Sequence, residues 1–174
     1  MATVQGVITN IGQSVLAQAH AGVSGFTPLP LISYFKVGLG GFQILGGTRS
    51  PRTPLATQTD LDVIQNPGNY NTNVYNQLPA GATGWYGSSS LTPLVYGTNI
   101  SFIAGTSTTL PMLQVNCNLP SGTYNADPTP GGPNPQIWEL GVYDAANYLI
   151  GYATFAMETK TSAAPLLNVM FVSY

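Results

Sequence analysis

Asp60 and Asp62 form a close pair of carboxylates, separated only by Leu61. On an extended strand, residues at this spacing point to one face, as a general acid and a general base would. The same pattern beside Thr59 is also typical of carboxylates that cap a helix or face water. We therefore expect a structural role for both residues, with acid–base catalysis as the alternative.

The remaining ionisable and nucleophilic side chains are scattered along the sequence. His20 is expected at the end of a helix, where a cation complements the helix dipole, and Cys117 is expected to be a buried strand residue. Glu139 is expected in a strand, facing a subunit interface or Lys160, with a structural ion pair as its role. These residues form no nucleophilic triad and no imidazole cluster. The sequence predicts a protein that is not an enzyme and has no catalytic, cofactor-binding or metal-ligating residues.

Aromatic residues give the one signal that favours binding. They lie in the central part of the chain with Asn and Asp neighbours, at Tyr70, Tyr75, Trp85, Tyr86, Tyr96 and Tyr124. Aromatic rings stack on sugars, contribute strongly to protein–protein interfaces and also fill cores. We expect core or interface roles for most of them, and we select Trp85 and Tyr86 as candidate contacts to a ligand or a partner.

Low charge limits the classes of function. Only 6% of the 174 residues are charged, against roughly 25% in ordinary soluble domains. Four Lys and Arg residues and a net charge of −2 do not provide a basic surface for phosphates, so nucleic-acid binding is not expected. No apolar run is long enough to span a membrane, and the N-terminus does not resemble a signal peptide. The composition favours a subunit that lies among other protein surfaces.

The hydrophobic pattern predicts a single α+β domain that is mainly β. An N-terminal helix precedes an antiparallel sheet or sandwich with long loops rich in Pro, Gly and Asn. The predicted parts are an arm and helix over 1–24, first strands over 25–65, a loop-rich β insertion over 66–135, and a hairpin with a closing strand over 136–174.

Several boundaries follow from turn and capping residues. Thr9 and Asn10 are candidate helix caps, and Asp144 is expected at the tip of the C-terminal hairpin. Residues 56–65 fit either a short helix or an edge strand. Strands are predicted over 31–39, 94–104, 112–119, 137–143, 148–155 and 166–174.

Two stretches resemble the N-terminal domain of phage tail-collar fibre proteins. The first joins ITNIGQSVLA at 8–17 to ISYFKVGLGG at 32–41. In that family a helix that begins with ITNAG precedes a strand with a Val-Gly-x-Gly-like turn. The second, WELGVYDAANYLIGYA at 138–153, is similar to the family's EIGLYDADGNLIA hairpin, although Asn147 and Tyr148 replace its glycine-containing turn. The resemblance covers roughly the first forty and the last forty residues.

The resemblance implies a structural virion protein in the tail or baseplate region of a tailed phage or a related contractile particle. In that family the domain attaches a receptor-binding fibre to the baseplate, usually as a trimer, and carries no catalytic residues. It implies a homotrimer that contacts other baseplate or tail fibre proteins. Because no long shaft or receptor-binding tip follows in this sequence, which ends at Tyr174, we expect a short fibre adaptor or a peripheral baseplate component.

Two other functions remain open at this point. One is a carbohydrate-binding module for receptor recognition, and the other is a decoration protein of the capsid or neck. For an assembly interface, the candidate residues are Ile11, Val15 and Leu16 on the helix and Trp138 and Tyr143 on the hairpin.

Overall fold

The computed structural model describes residues 2–26, 31–66, 85–86, 94–121, 136–161, 163 and 165–173. These residues are mainly β, as the sequence predicts. The helices are α1 (Asn10–His20) and α2 (Asp62–Gln65). The strands are β1 (Ala2–Ile8), β2 (Ile32–Gly38), β3 (Phe42–Leu45), β4 (Thr48–Pro51), β5 (Trp85–Tyr86), β6 (Ile100–Ile103), β7 (Met112–Leu119), β8 (Gln136–Asp144), β9 (Leu149–Thr159) and β10 (Leu166–Ser173).

An eight-stranded sheet forms the centre of the fold, in the order β5-β2-β8-β9-β1-β10-β7-β6. Neighbouring strands are antiparallel except β1 and β10, which pair in parallel. β1 therefore lies inside the sheet of its own chain, between β9 and β10, and is not a free N-terminal arm. Among the residues that the structure describes, β3 and β4 pair only with each other, as a separate two-stranded hairpin.

Helix α1 is attached to β9 through its first turn. Thr9 is the N-cap, and its Oγ1 accepts a hydrogen bond of 3.0 Å from the amide of Gly12. The Thr9 hydroxyl also donates to the carbonyl of Leu149, and the Thr9 amide donates to the carbonyl of Ile150 at 3.0 Å. A Cβ at position 12 would lie 2.5 Å from the Ile150 oxygen, so glycine allows this close approach.

The β8–β9 hairpin agrees with the prediction for the C-terminal part of the chain. Asp144 lies at the end of β8, and its Oδ1 accepts hydrogen bonds of 2.9 Å from the amides of Ala146 and Tyr148. Asn147 has a φ of 68° in the turn, a conformation that Asn adopts more readily than most residues. The predicted role of Asp144 at the hairpin tip is confirmed.

The sheet carries apolar residues on both faces. Val15 of α1 packs on one face, together with Phe35, Val37, Leu140 and Val142. The other face carries a smaller cluster in which Leu61 and Val63, at the start of α2, cover sheet residues. Those sheet residues are Tyr34, Tyr143, Leu149 and Tyr152. α2 settles the alternatives for residues 56–65 in favour of a short helix.

The predicted strand over 94–104 is too long. The strand begins only at Ile100, because residues 95–99 form a turn instead. Gly97 has a φ of 86°, its amide donates to the Ile100 carbonyl at 2.7 Å, and the Val95 amide donates to the Asn99 side chain. Much of the predicted insertion over 66–135, including the proline-rich segment at 127–135, lies outside the described residues.

Candidate functional site

Glu139 is the centre of a buried polar cluster on the face of the sheet that α2 covers. Its Oε1 accepts hydrogen bonds from the amides of Gly40 at 3.2 Å and Val63 at 3.1 Å. Its Oε2 accepts from the Asp62 amide and the Tyr152 hydroxyl, both at 2.7 Å. One carboxyl group thus joins β8, β9, the loop after β2 and the first turn of α2. These partners correct the expectation that Glu139 forms a structural ion pair.

Asp62 lies beside this carboxyl group and is also buried. Its Oδ1 is 2.8 Å from Arg52 Nη2, and its Oδ2 accepts a hydrogen bond of 3.3 Å from the Gly41 amide. The side-chain amide of Asn66, at the other end of α2, donates a hydrogen bond of 2.8 Å to Asp62 Oδ1. Asp62 therefore holds Arg52 and α2 together inside the fold.

Asp60 belongs to a neighbouring, less buried group. Its Oδ1 accepts hydrogen bonds from the Tyr143 hydroxyl at 2.6 Å and the Leu61 amide at 2.8 Å, and lies 3.6 Å from Lys36 Nζ. The Lys36 ammonium also lies 4.4 Å from the centroid of the Tyr143 ring, which stacks on Tyr34. The two aspartates thus have separate partners, consistent with their expected structural roles.

Burial dominates the electrostatics of the cluster. It raises the pKa of Glu139 from 4.5 to about 7, although the hydrogen bonds from Tyr152, Asp62 and Val63 oppose this shift. Burial and the nearby Glu139 carboxyl group also raise the pKa of Tyr152. The Glu139 carboxyl group therefore gains and loses its proton near neutral pH while it remains enclosed.

The glycines of the Gly38-Leu39-Gly40-Gly41 segment are explained by Glu139. A Cβ at position 38 would lie 2.4 Å from Glu139 Oε1, and one at Gly41 would lie 2.8 Å from Glu139 Cβ. In the sequence this segment resembles a dinucleotide-binding turn only superficially, and its partner is a carboxylate of the same chain. Glu139 with two nearby glycines is the feature that sequence reasoning missed. Three glycines in four residues were the available signal.

The polar cluster around Glu139 and Asp62 is suited to holding the loop after β2 and helix α2 against the sheet. The oxygens of Glu139 and Asp62 face amides, a tyrosine hydroxyl and a guanidinium group that belong to the fold. Among the described residues, no group of three or more His, Cys, Asp and Glu side chains could hold a metal ion. Cys117 is fully buried, as predicted, and burial raises the pKa of its thiol.

An apolar cavity of about 520 Å³ lies on the opposite side of the fold. Val15 and Leu16 of α1 form one wall, and Ile32, Ile100 and Ile150 contribute from the sheet. The mouth carries residues that remain largely exposed, namely Leu31, Val95 and Tyr96. No charged side chain lines this cavity among the residues that define it.

The structure separates the predicted interface residues into two groups. Val15 and Leu16 line the apolar cavity, and the half-buried Ile11 packs against the same core. Tyr143 has no exposed surface and Trp138 is 6% exposed, so both contribute mainly to packing within the chain. A direct contact of these two side chains with another subunit therefore has little or no surface available.

The predicted ligand contacts Trp85 and Tyr86 lie on an edge strand. Their backbones pair with Gly38 and Val37 of β2. Their side chains are outside the described part of the structure, as are Tyr70, Tyr75 and Tyr124. Tyr96 is 65% exposed at the mouth of the cavity.

Charged side chains within the described ranges are at most partly exposed. Of the nine charged residues within the described ranges, none is exposed. Glu139, Asp62, Asp144 and Lys160 are buried, and Lys36, Arg49, Arg52, Asp60 and Glu158 are half-buried. Charged residues in folded proteins are mostly exposed, so this surface is unusual.

No family model and no curated protein matches the sequence, and no solved structure matches the fold. Neither described helix is long and apolar enough to cross a membrane.

Proposed function

We propose that this chain is a structural virion protein of a tailed phage or a related contractile particle. In this role it is a baseplate-associated fibre or fibre-adaptor subunit that joins a fibre to the baseplate and carries out no catalysis. It acts as a homo-oligomer, most simply a trimer, together with other baseplate or tail fibre proteins. The proposed position at the baseplate rests on the resemblance of residues 8–17, 32–41 and 138–153 to tail-collar fibre proteins.

The observation that carries this proposal is that the described part of the surface has no fully exposed charged residue. Every charged residue within the described ranges is buried or half-buried, whereas large apolar side chains such as Leu31, Leu45 and Leu110 are more than 60% exposed. Surfaces that stay covered in an assembly need few charges, and permanent interfaces are more apolar than transient ones. An isolated soluble domain gains no advantage from such a surface.

The buried cluster around Glu139 supports the same role. Its carboxylates are bonded to amides, to Tyr152 and to Arg52, all within one chain. Such a cluster fixes the loops beside the sheet and gives a subunit with a defined shape.

Quantitative mass spectrometry of gradient-purified particles tests the proposal. The chain is expected at a fixed, low copy number relative to the major capsid protein, and as a multiple of three if it is a trimer. Recovery only in the soluble lysate would contradict a virion role. A glycan array with Trp85→Ala and Tyr86→Ala controls would then test the carbohydrate-binding alternative.

A further inference from the structure

The β3–β4 hairpin extends from the body of the protein and ends in an apolar tip. Ile44 is 56% exposed and Leu45 is 62% exposed. Gly46 and Gly47 follow with φ values of 56° and 80°, which allow the tight two-residue turn between the strands. An isolated two-stranded hairpin has little stability in water, so this one needs contacts beyond its own ladder.

The base of the hairpin is attached to the body, whereas its tip is not buried. Phe42 packs on Trp138 with ring centroids 5.3 Å apart, and Arg49 donates a hydrogen bond of 3.3 Å to Gln136. The Arg49 guanidinium also lies 5.1 Å from the Phe42 ring centroid. Arg49 is the cross-strand partner of Ile44, but these contacts hold its guanidinium group at the base of the hairpin, so the exposed surface of the tip is that of Ile44 and Leu45.

The apolar cavity has the complementary properties. Its volume is about 520 Å³, and the described residues that line it are aliphatic apart from Tyr96 and carry no charge. Cavities of about 300–1,000 Å³ hold drug-sized molecules, so two branched aliphatic side chains fit within this size. Leu31 is 71% exposed and Val95 is 52% exposed at the mouth, so the cavity wall continues into an exposed apolar rim.

The tip and the cavity lie at opposite ends of β2. Ile32 at the first end lines the cavity, and Gly38 at the second end leads through residues 39–41 into the hairpin. The seven residues of β2 span about 20 Å, whereas the four-residue strands of the hairpin span only about 13 Å, so the tip does not reach the cavity of its own chain. A second copy of the chain can bring its tip to this cavity.

We propose that the Ile44–Leu45 tip of one copy inserts into the cavity between α1 and Tyr96 of the next copy. The two surfaces differ, so the contact is head-to-tail, and it forms a closed ring when the rotation between copies closes. This inference rests on the self-association within the proposed function and assigns the surfaces that produce it. The tip-in-cavity contact does not depend on where in a particle the protein is located.

Disulfide crosslinking of the full chain tests the contact. The native Cys117 can be kept in all variants, because it is fully buried and its thiol is therefore a poor nucleophile. The variant Leu45→Cys/Tyr96→Cys is expected to form disulfide-linked dimers and trimers under mild oxidation. The control Leu45→Cys/Leu110→Cys has a second site of equal exposure outside the cavity, 64% against 65%. Crosslinking of the control is expected to be at least about tenfold slower.

Sedimentation velocity of the wild type and of Ile44→Asp supplies the second readout. The charge at the tip is expected to raise the dissociation constant for self-association by about two orders of magnitude. Because Ile44 is exposed in the single chain, the circular dichroism spectrum and the melting temperature of this variant should match the wild type.

The outcomes separate the inference from the function on which it rests. Selective crosslinking through Tyr96 with loss of association in Ile44→Asp supports the tip-in-cavity contact. Wild-type association that survives Ile44→Asp, or equal crosslinking through Leu110, overturns this contact and leaves self-association standing. A wild type that is monomeric at all concentrations overturns both the contact and the self-association, and the particle assignment still depends on mass spectrometry.

Discussion

The hydroxyl of Tyr152 on β9 donates a hydrogen bond of 2.7 Å to Oε2 of Glu139 on β8, and neither residue has exposed surface. The same carboxyl group accepts from the amides of Gly40, Asp62 and Val63. It therefore connects two neighbouring strands to the loop after β2 and to the first turn of α2. The stability of this face of the sheet depends on the protonation and the bonding of one group.

Stability is expected to fall as the pH rises through the range set by Glu139. The pKa of this group is raised in the folded state from 4.5 to about 7, so between these values the folded chain binds more protons than the unfolded chain. Its contribution is complete below about pH 4.5 and is lost as the pH rises through about 7. Urea unfolding at about pH 5 and pH 7.5 should differ by about 2–3 kcal/mol from this group.

Glu139→Gln is the matched variant, because glutamine keeps the shape and does not titrate. Its free energy of unfolding should show a smaller decrease between the same two pH values. An unchanged pH dependence in Glu139→Gln would show that the carboxyl group does not have the raised pKa.

Tyr152→Phe is expected to lower the free energy of unfolding by about 1–3 kcal/mol, since it removes a donor to a buried carboxyl group. Tyr148→Phe is the control, because Tyr148 is 41% exposed and its ring contact with Phe26 needs no hydroxyl. That control should change the free energy of unfolding by less than about 0.5 kcal/mol. Equal effects of the two substitutions in chemical denaturation would argue against the Glu139–Tyr152 bond.

Gly38→Ala is expected to be strongly destabilising, by about 2–4 kcal/mol, because the added methyl group meets the enclosed carboxyl group. Gly22→Ala tests backbone strain without crowding, since Gly22 has a φ of 69° and no atoms within 4 Å of an added Cβ. It should cost only about 1 kcal/mol. Thermal melting of both variants decides the matter, and a Gly38→Ala protein as stable as Gly22→Ala would contradict the close approach.

Self-association is expected to depend little on salt. No charged residue within the described ranges is exposed, so ion pairs contribute little to contacts between these surfaces. The dissociation constant should change by less than about threefold between about 0.05 M and 0.5 M NaCl in sedimentation experiments. A steep loss of association with salt would contradict this expectation and indicate that the half-buried charges, or Asp127 outside those ranges, take part in the contact.

The sequence predicts the strands and the hairpin of the C-terminal part because their signals are local. Alternation of apolar residues marks β7 and β8, and Asp144 marks the turn that its own side chain stabilises. The central position of β1 depends on pairing with β9 and β10, more than 140 residues away along the chain. Such pairing leaves no local pattern, and the sequence predicts this segment only as an N-terminal arm.

The polar cluster was less predictable for a related reason. Asp60 and Asp62 lie two positions apart in the sequence and suggest a pair, yet the fold gives them different partners, Tyr143 and Arg52. Glu139 approaches Asp62 only because α2 packs on the sheet. Exposure could not be predicted from residue type either, since Lys160 is buried whereas Leu45 is exposed.

Imaging of purified particles by cryo-electron tomography with subtomogram averaging tests the central claim most directly. A structural tail subunit predicts density for this chain at the junction of fibre and baseplate, present at constant copy number and lost when its gene is disrupted. Density at the head or neck would retain a structural role and contradict the fibre-adaptor assignment. Particles that are complete and infectious without the chain would contradict the account as a whole.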